Sequence, residues 1–516
     1  MTLEIRPARA SHTPGDEVEL IVTATEAGNV TLSITHLDTT VALLDTATAG
    51  ESVVLRWQTP PQAPCGYGVD ATLTRQGGEV AGRASTAFDV LNQWTDYPRY
   101  GFFSDFPEKS DPAVAVETLV GFQVNGIQFY DWQYRHDQLL PPTDIYQDPL
   151  GRTLSLATVS EAIDASRASG LATMAYVAIY GASARFWSEN AGWALYDPDT
   201  GDPIAFGDDF LGLMDPTRGT PWATHLVDQC RSALEFGFDG IHLDQYGEPR
   251  QASNASGEPV DLPRAFAEFV EDLKQARPGA PVTLNAVKNW PIETLAGSPQ
   301  DFVYIELWPD TPTYQQVLDV VLNARRRSGK PVIVAMYLPA DHPANVATLD
   351  AVLTAAGAWR IEVGEHGRLL TDPYFPNHQQ ILKPLANTIR RHNSFAVRYL
   401  EVCGPPAHQD DTVVANSDQS ILAITRRNGR HTGIGLVNLP DPTLRWDQPH
   451  APPPPIEQFQ LDISGVPGVE SVWYATPQHP SPKPVATSDA GDRIRIELPT
   501  LEQYALVWFE SDRTAQ

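Results

Sequence analysis

Between about residue 95 and residue 394, eight short apolar runs alternate with segments of helical periodicity, and no other feature narrows the fold as much. The runs are "RYGFFSDF", "GIQFYDW", "ATMAYVAIYG", "GIHLDQYG", "VTLNAV", "FVYIELW", "VIVAMYL" and "AWRIEVGE". Between them Leu262, Phe266, Phe269, Val270 and Leu273 share one helical face, as do Tyr314, Val317, Leu318, Val321 and Leu322. Strands that each lead into a helix over roughly 300 residues predict a (β/α)8 TIM barrel with insertions. A doubly wound sheet fits less well, because no G-x-G-x-x-G follows the first strand. The third run is followed by a long loop over 181–219, rich in Trp, Tyr, Gly and Asp, which reads as a lid or cleft wall.

The barrel has flanks of a different texture. Residues 1–94 alternate apolar and polar positions in short runs such as "EVELIVTAT", "NVTLSITHL" and "ESVVLRWQT", the pattern of an N-terminal immunoglobulin-like β-sandwich. Residues 395–516 return to strands ("SILAITRRN", "TGIGLVNL", "VESVWYAT", "RIRIELP", "QYALVWFE") around the prolines of "HAPPPPIEQF", and predict a C-terminal antiparallel β domain, a second sandwich. A length of 516 residues is too great for one ordinary core, in keeping with three domains.

The formal net charge of −28, from 64 acidic and 36 basic residues, repels nucleic acid and anionic lipid, so neither is an expected partner. Twelve tryptophans favour a neutral sugar, whose faces stack on aromatic rings. Cys65, Cys230 and Cys403 lie far apart without C-x-x-C spacing, which suggests neither a disulfide framework nor a zinc site. Asp208, Asp209 and Asp215 break the calcium-loop rule and read as surface acids. No cofactor is expected to be required; structural calcium is possible in such a protein but not indicated by these residues. The N-terminus shows no basic head with an apolar run behind it, and no apolar stretch reaches the ~18 residues of a membrane span.

In a barrel of this kind the chemistry lies at the C-terminal ends of the strands, where the βα loops converge. The polar groups there are Asp131, Tyr180, Asp244, Asn285, Glu306, Tyr337, and Glu365 with His366. Asp244 and Glu306 each follow a run that belongs in a barrel interior, where a carboxylate is costly unless bonded, paired or used. The bland alternatives are a turn cap for Asp244 and a buried ion pair with Lys288 for Glu306. Asp239 reads as a turn residue at the opposite end of its strand. Two carboxyl groups on either side of a bond are what glycoside cleavage needs, and Trp308, two residues after Glu306, suits a sugar subsite that also raises the acid's pKa. The adjacent Glu365 and His366 lack metal-ligand spacing and read as cleft-edge residues.

The blocks "GIQFYDWQYRHD", "GFDGIHLDQYGE", "VYIELWPD" and "VGEHGRLLTDPYFPNH", in this order, resemble the barrel motifs of glycoside hydrolase family 66, the dextranases and cycloisomaltooligosaccharide glucanotransferases. The resemblance implies a retaining, endo-acting enzyme on α-1,6-linked glucan, with Asp244 as nucleophile and Glu306 as acid/base. It makes Asp131, Tyr134, His136, Tyr180, Asn285, Trp308, Glu365 and His366 candidates for holding sugar rings. The alternatives it leaves open are a transglycosylase that closes rings, a hydrolase of another α-glycan or of exo action, and a glycan-binding protein without activity. The cyclising members carry an inserted carbohydrate-binding module of ~100 residues, not seen here, which favours hydrolysis. The family's habit implies an extracellular protein, although no signal peptide is visible in the sequence; a cytoplasmic one is the other reading.

Overall fold

A computed structural model describes residues 3–207, 210–466, 468–469, 471–489 and 493–511. Its first part holds two antiparallel sheets, one of Leu3–Pro7, Glu17–Ala24 and Ser52–Gln58, the other of Thr39–Ala49, Ala27–His36, Cys65–Thr74 and Val80–Val90. Alternation buries Val18, Leu20, Val22, Val30, Leu32, Ile34, Val69 and Leu73 in a common core. The expected runs are strands, Glu17–Ala24, Ala27–His36 and Ser52–Gln58 among them. Thr39–Ala49 does not advertise itself because its apolar residues point outward: Val41 and Leu43 are 43% and 66% exposed.

The middle of the chain forms a curled, parallel-rich sheet of barrel-like form. Tyr100–Phe103, Gly126–Phe129, Ala172–Ala178, Gly240–Asp244, Val282–Val287, Val303–Glu306, Val332–Ala335 and Trp359–Ile361 each pair in parallel with the next. One residue beyond Ile361, Val363–Gly364 pairs in parallel with Tyr100–Phe103, so the last segment touches both the seventh strand and the first. Helices Pro112–Gly121, Leu156–Ala168, Pro221–Phe236, Leu262–Ala276, Tyr314–Ser328, Pro343–Ala356 and Lys383–Arg398 accompany the strands, with only the short Ile292–Leu295 after the fifth. The predicted face of Leu262–Ala276 is buried throughout, and that of Tyr314–Ser328 is buried except at Leu322, which is half-buried.

Side-chain parity divides this sheet into two environments. Ile241, Leu243, Val303, Ile305, Val332 and Val334 belong to the core shared with the helices, whereas Met174, Tyr304, Ile333 and Ala335 belong to a separate inner cluster. Because successive residues of a strand face opposite ways, His242 and Asp244 fall on the inner face, as do Tyr304 and Glu306.

The helix Lys383–Arg398 runs through position 394, and the last β-rich part begins at His408. It packs a six-stranded sheet against a four-stranded one, both antiparallel. All five expected strands are there. Ile456–Ser464, directly after the prolines, joins them; its exposed alternate residues had concealed it.

The first two parts are tied by Arg99, which is fully buried, as is its partner Asp89. Its guanidinium also donates to the carbonyls of Gln123 at 2.5 Å and Ala10 at 3.0 Å. Removing one member of such a pair strands the other charge in the interior. Arg99→Ala is therefore expected to lower stability by about 3–5 kcal/mol, read as a fall in thermal midpoint and denaturant resistance; a loss under about 1 kcal/mol would show that the pair contributes little.

Candidate active site

The C-terminal ends of the parallel strands open into a cleft of about 570 Å³. Five side chains on five neighbouring strands or their immediate ends form a continuous hydrogen-bonded row across its floor. Tyr176 donates its hydroxyl to Asp244 Oδ2 at 2.8 Å. Asn285 Nδ2 donates to Asp244 Oδ1 at 2.8 Å and to Glu306 Oε2 at 2.7 Å. Tyr337 donates to Glu306 Oε1 at 2.7 Å. Since one nitrogen serves both carboxylates, the two oxygens it reaches lie no farther apart than those bonds laid end to end, about 5.5 Å.

Burial drives the electrostatics of this row. The carboxyl of Asp244 is pushed up to about 7 by desolvation and then by the nearby charge of Glu306, against the opposing hydrogen bonds. Glu306 is raised as well, again chiefly by burial, with the bonds from Tyr337 and Asn285 and the more distant charge of Lys288 pulling the other way. Among the described residues Lys288 makes no ion pair with Glu306; its ammonium lies 5.9 Å from the centre of the Trp308 ring. Beneath the row, His242 is stacked edge-on against Tyr304 and meets the hydroxyl of Tyr100 at 3.2 Å. Desolvation depresses this imidazole to about 3, so it is neutral.

Of the remaining expected residues, Asp131, His136 and Trp308 line the cleft. Asp131 sits at φ 46°, with its carboxyl pushed up to about 7 by burial against the charge of Arg152, and Gln133 reaches it at 3.5 Å. His136 is buried and held down to about 4 by desolvation, and its Nδ1 has no hydrogen-bond partner among the described residues. Trp308 stands edge to face with Tyr337.

Four expected residues do not reach the cleft. Tyr134 packs edge to face with Tyr146, and the Arg135 guanidinium stacks on its ring at 4.1 Å. Tyr180 lies behind the wall, donating to the Glu248 carbonyl and accepting from the N–H of Tyr246. The strand ends at Ala178, so Tyr180 falls in the turn where parity no longer holds; Tyr176, two residues inside the strand, has the inward parity. Glu365 turns back to the N–H and hydroxyl of Ser104 and, with His366, borders a separate cavity of about 150 Å³. Asp215 is not a surface acid: it is buried and accepts the N–H of Thr217 just before helix Pro221–Phe236. Asp208 and Asp209 lie outside the described residues. Asp239 has the structural place expected of it, accepting the N–H and hydroxyl of Thr173 at the far end of the strand.

The cleft residues that motif reading passed over are mostly aromatic: Tyr130, Tyr176, Tyr246, Tyr304 and Tyr374. The loop over 181–219 is a cleft wall, folded around a small sheet of Gly181–Ser183, Ala205–Phe206 and Leu211–Leu213. It presents Phe206 and Phe210 to the opening, Phe206 stacked on Tyr246 at 4.5 Å.

A buried pair of carboxyl groups at the mouth of a parallel, barrel-like sheet, walled by aromatic rings, defines the glycosidase type of site. The chain belongs to glycosyl hydrolase family 66, whose family model matches residues 7–508. It is 28% identical over 374 residues to a cycloisomaltooligosaccharide glucanotransferase of Niallia circulans and 24% identical over 315 residues to a dextranase of Streptococcus salivarius. These matches cover 64% and 53% of this chain but 37% and 38% of the relatives, so the chain spans little more than a third of their length. In fold it is similar to a solved Paenibacillus cycloisomaltooligosaccharide glucanotransferase complexed with cycloisomaltoheptaose, with a TM-score of 0.90, 20% identity, and 98% and 99% of the two chains covered. A maltogenic α-amylase of Thermotoga neapolitana is more distant, at a TM-score of 0.54 and 12% identity over 81% of this chain and 100% of that one.

The raised carboxyl of Asp244 has a consequence for stability. Between its ordinary value of 3.8 and about 7 the folded protein holds a proton that the unfolded chain has released, so this group costs stability as pH rises through that window. Asp244→Asn removes the cost. Its expected gain is about 1–3 kcal/mol at pH 8, shrinking towards zero at pH 4, as followed by thermal unfolding across pH. A variant no more stable than wild type at pH 8 would contradict the buried, strained carboxylate.

Proposed function

We propose that this protein is a retaining, endo-acting glycoside hydrolase that cleaves α-1,6-glucosidic linkages of a dextran-like α-glucan by double displacement. On this reading the barrel-like sheet is a (β/α)8 barrel and the first two sheets an immunoglobulin-like sandwich. The observation that carries the mechanism is the single amide of Asn285 between Asp244 and Glu306, which keeps the two oxygens it reaches within about 5.5 Å of each other. Retaining enzymes keep their two carboxyls about 5–5.5 Å apart, whereas inverting ones need about 6.5–9.5 Å to admit a water.

Above about pH 7 Asp244 is ionised, and it acts as the nucleophile, with Tyr176 and Asn285 holding its oxygens. Glu306, its pKa raised by burial, acts as the acid. In the first step Asp244 attacks the anomeric carbon from the β face. The bond to the departing sugar oxygen breaks as Glu306 protonates it, leaving a glycosyl ester on Asp244. In the second step Glu306 takes a proton from water, which attacks the same carbon, and the ester bond to Asp244 breaks. No cofactor enters either step. Asp131, His136 and Trp308 supply a carboxylate, a neutral imidazole and an apolar face to the sugar rings.

A second reading, a glucanotransferase in which a sugar hydroxyl replaces the water, is favoured by the two glucanotransferase relatives at 28% identity. Hydrolysis is put first on the motif resemblance and the dextranase relative at 24% identity; an inserted β module does not separate the two activities, since this chain covers 99% of the chain of a solved glucanotransferase.

Incubation with dextran, followed by product chromatography, tests the substrate. Linear isomaltooligosaccharides are the expected product; cyclic ones would shift the reading to transfer, and cleavage of another α-glucan with dextran left intact would overturn the linkage. Asp244→Ala and Glu306→Ala should each lose at least about a thousandfold in kcat, and near wild-type rates in either would refute its role. Asn285→Ala leaves both carboxylates in place but removes their bridge, and is expected to cost about 10- to 1000-fold in kcat with a smaller change in KM. A kcat within twofold of wild type would show that the bridge is dispensable.

A further inference from the structure

A second group of chemistry-bearing side chains lies outside the cleft. His36 ends the strand Ala27–His36, Cys65 begins Cys65–Thr74, and Glu401 sits in the short helix Leu400–Cys403. Their imidazole nitrogen, thiol sulfur and carboxylate oxygen all lie within 4.8 Å of one another, the one such group of three among the described residues. The placement follows from strand pairing. Thr35 lies opposite Gly68 in the register, and residues 65 and 67 share a face, so His36 comes up beside Tyr67, at 5.5 Å between rings, and Cys65. The carboxylate of Glu401 reaches in from another part of the chain. It is buried, meets His36 Nε2 at 2.7 Å, and accepts the N–H of Gly66 through both oxygens at 3.1 Å.

The His36–Glu401 contact is a hydrogen bond, and the thiol of Cys65 is the third ligand-type group beside it. Cys230 and Cys403 are buried, as structural cysteines usually are; Cys65 alone is half-buried, and it alone stands among other ligand groups. One sulfur, one nitrogen and one oxygen, with a fourth position open to solvent past the one-third-exposed His36, match the ligand chemistry of zinc. Charge balances as well: a thiolate and a carboxylate neutralise a divalent ion, which answers the cost of partial burial.

We propose that His36, Cys65 and Glu401 form a site for a divalent cation of borderline softness, Zn²⁺ by its ligand set, that clips the N-terminal sheets to the helical segment leading into the C-terminal ones. Tetrahedral bonds of about 2.0–2.3 Å put ligand atoms about 3.2–3.8 Å apart, so the imidazole and carboxylate open slightly from 2.7 Å, and the thiol already lies within 4.8 Å of both. Binding displaces the thiol proton of Cys65 and the proton between His36 and Glu401, and the metal takes their place without any redox change. Helix Leu400–Cys403 packs against both Cys65–Thr74 and the strands Ile421–Asn428 and His431–Asn438, so the clip sits where three parts of the chain meet.

The experiment uses the full chain, stripped with a chelator and titrated with Zn²⁺ by calorimetry and thermal unfolding. One equivalent is expected, with a rise in melting temperature, and Cys65→Ser and His36→Ala should each bind at least tenfold more weakly. Co²⁺ offers a readout that needs no variant: the folded wild type should show a thiolate-to-metal charge-transfer band in the near ultraviolet, absent in Cys65→Ser. Wild type that binds Zn²⁺ no more tightly than Cys65→Ser, a Co²⁺ spectrum without a thiolate band, or a band that survives in Cys65→Ser would each overturn the site.

Discussion

One amide nitrogen holds the candidate active site together. Asn285 Nδ2 spends its two hydrogens on two carboxylates that would otherwise repel each other in a desolvated place, and it thereby fixes their spacing. Tyr176 and Tyr337 secure the outer oxygens, so each carboxyl is gripped from both sides. Burying two acids together is expensive. The row of donors lowers the expense without removing it, and the residual shows as raised pKa values, which is the condition that lets a pair share a proton near neutral pH.

That row exists because the sheet curls. Successive members of the row Tyr176, Asp244, Asn285, Glu306 and Tyr337 are separated by 21 to 68 residues along the chain, yet stand on adjacent strands whose parallel register brings their C-terminal ends to one mouth. The helices on the outside bury the opposite parity of the same strands. Chemistry and stability thus use alternate residues of one segment: in "GIHLD" the isoleucine and leucine pack outward while the histidine and aspartate face in.

The flanking sheets are joined to this centre by buried polar contacts as much as by apolar packing. Arg99 meets Asp89, and Arg398 reaches Asp70 at 3.0 Å and the hydroxyl of Thr35 at 2.8 Å. The His36, Cys65 and Glu401 group lies at the same junction, two residues or fewer from Arg398's partners on one strand and three residues along the chain from Arg398 itself. Directional contacts of this kind set the orientation of a sheet more closely than apolar packing does.

Sequence alone carried a good part of this. Hydrophobic periodicity located all eight parallel strands, because strands buried on both faces read as unbroken apolar runs. It also singled out Asp244 and Glu306, since a carboxylate ending such a run has no ordinary reason to be there. Where the periodicity was two-sided or absent, it was silent: Thr39–Ala49 shows its apolar residues to solvent, and Tyr180 and Glu365 stand just past strand ends in turns that redirect them. Composition and pattern therefore determined which segments pair and which acids are anomalous. Only the tertiary structure decided that Asn285 bridges those acids, that Tyr176 rather than Tyr180 supports one of them, and that a thiol, an imidazole and a carboxylate from three distant segments meet, because distance between side chains depends on strand neighbours and loop paths that one-dimensional spacing does not encode.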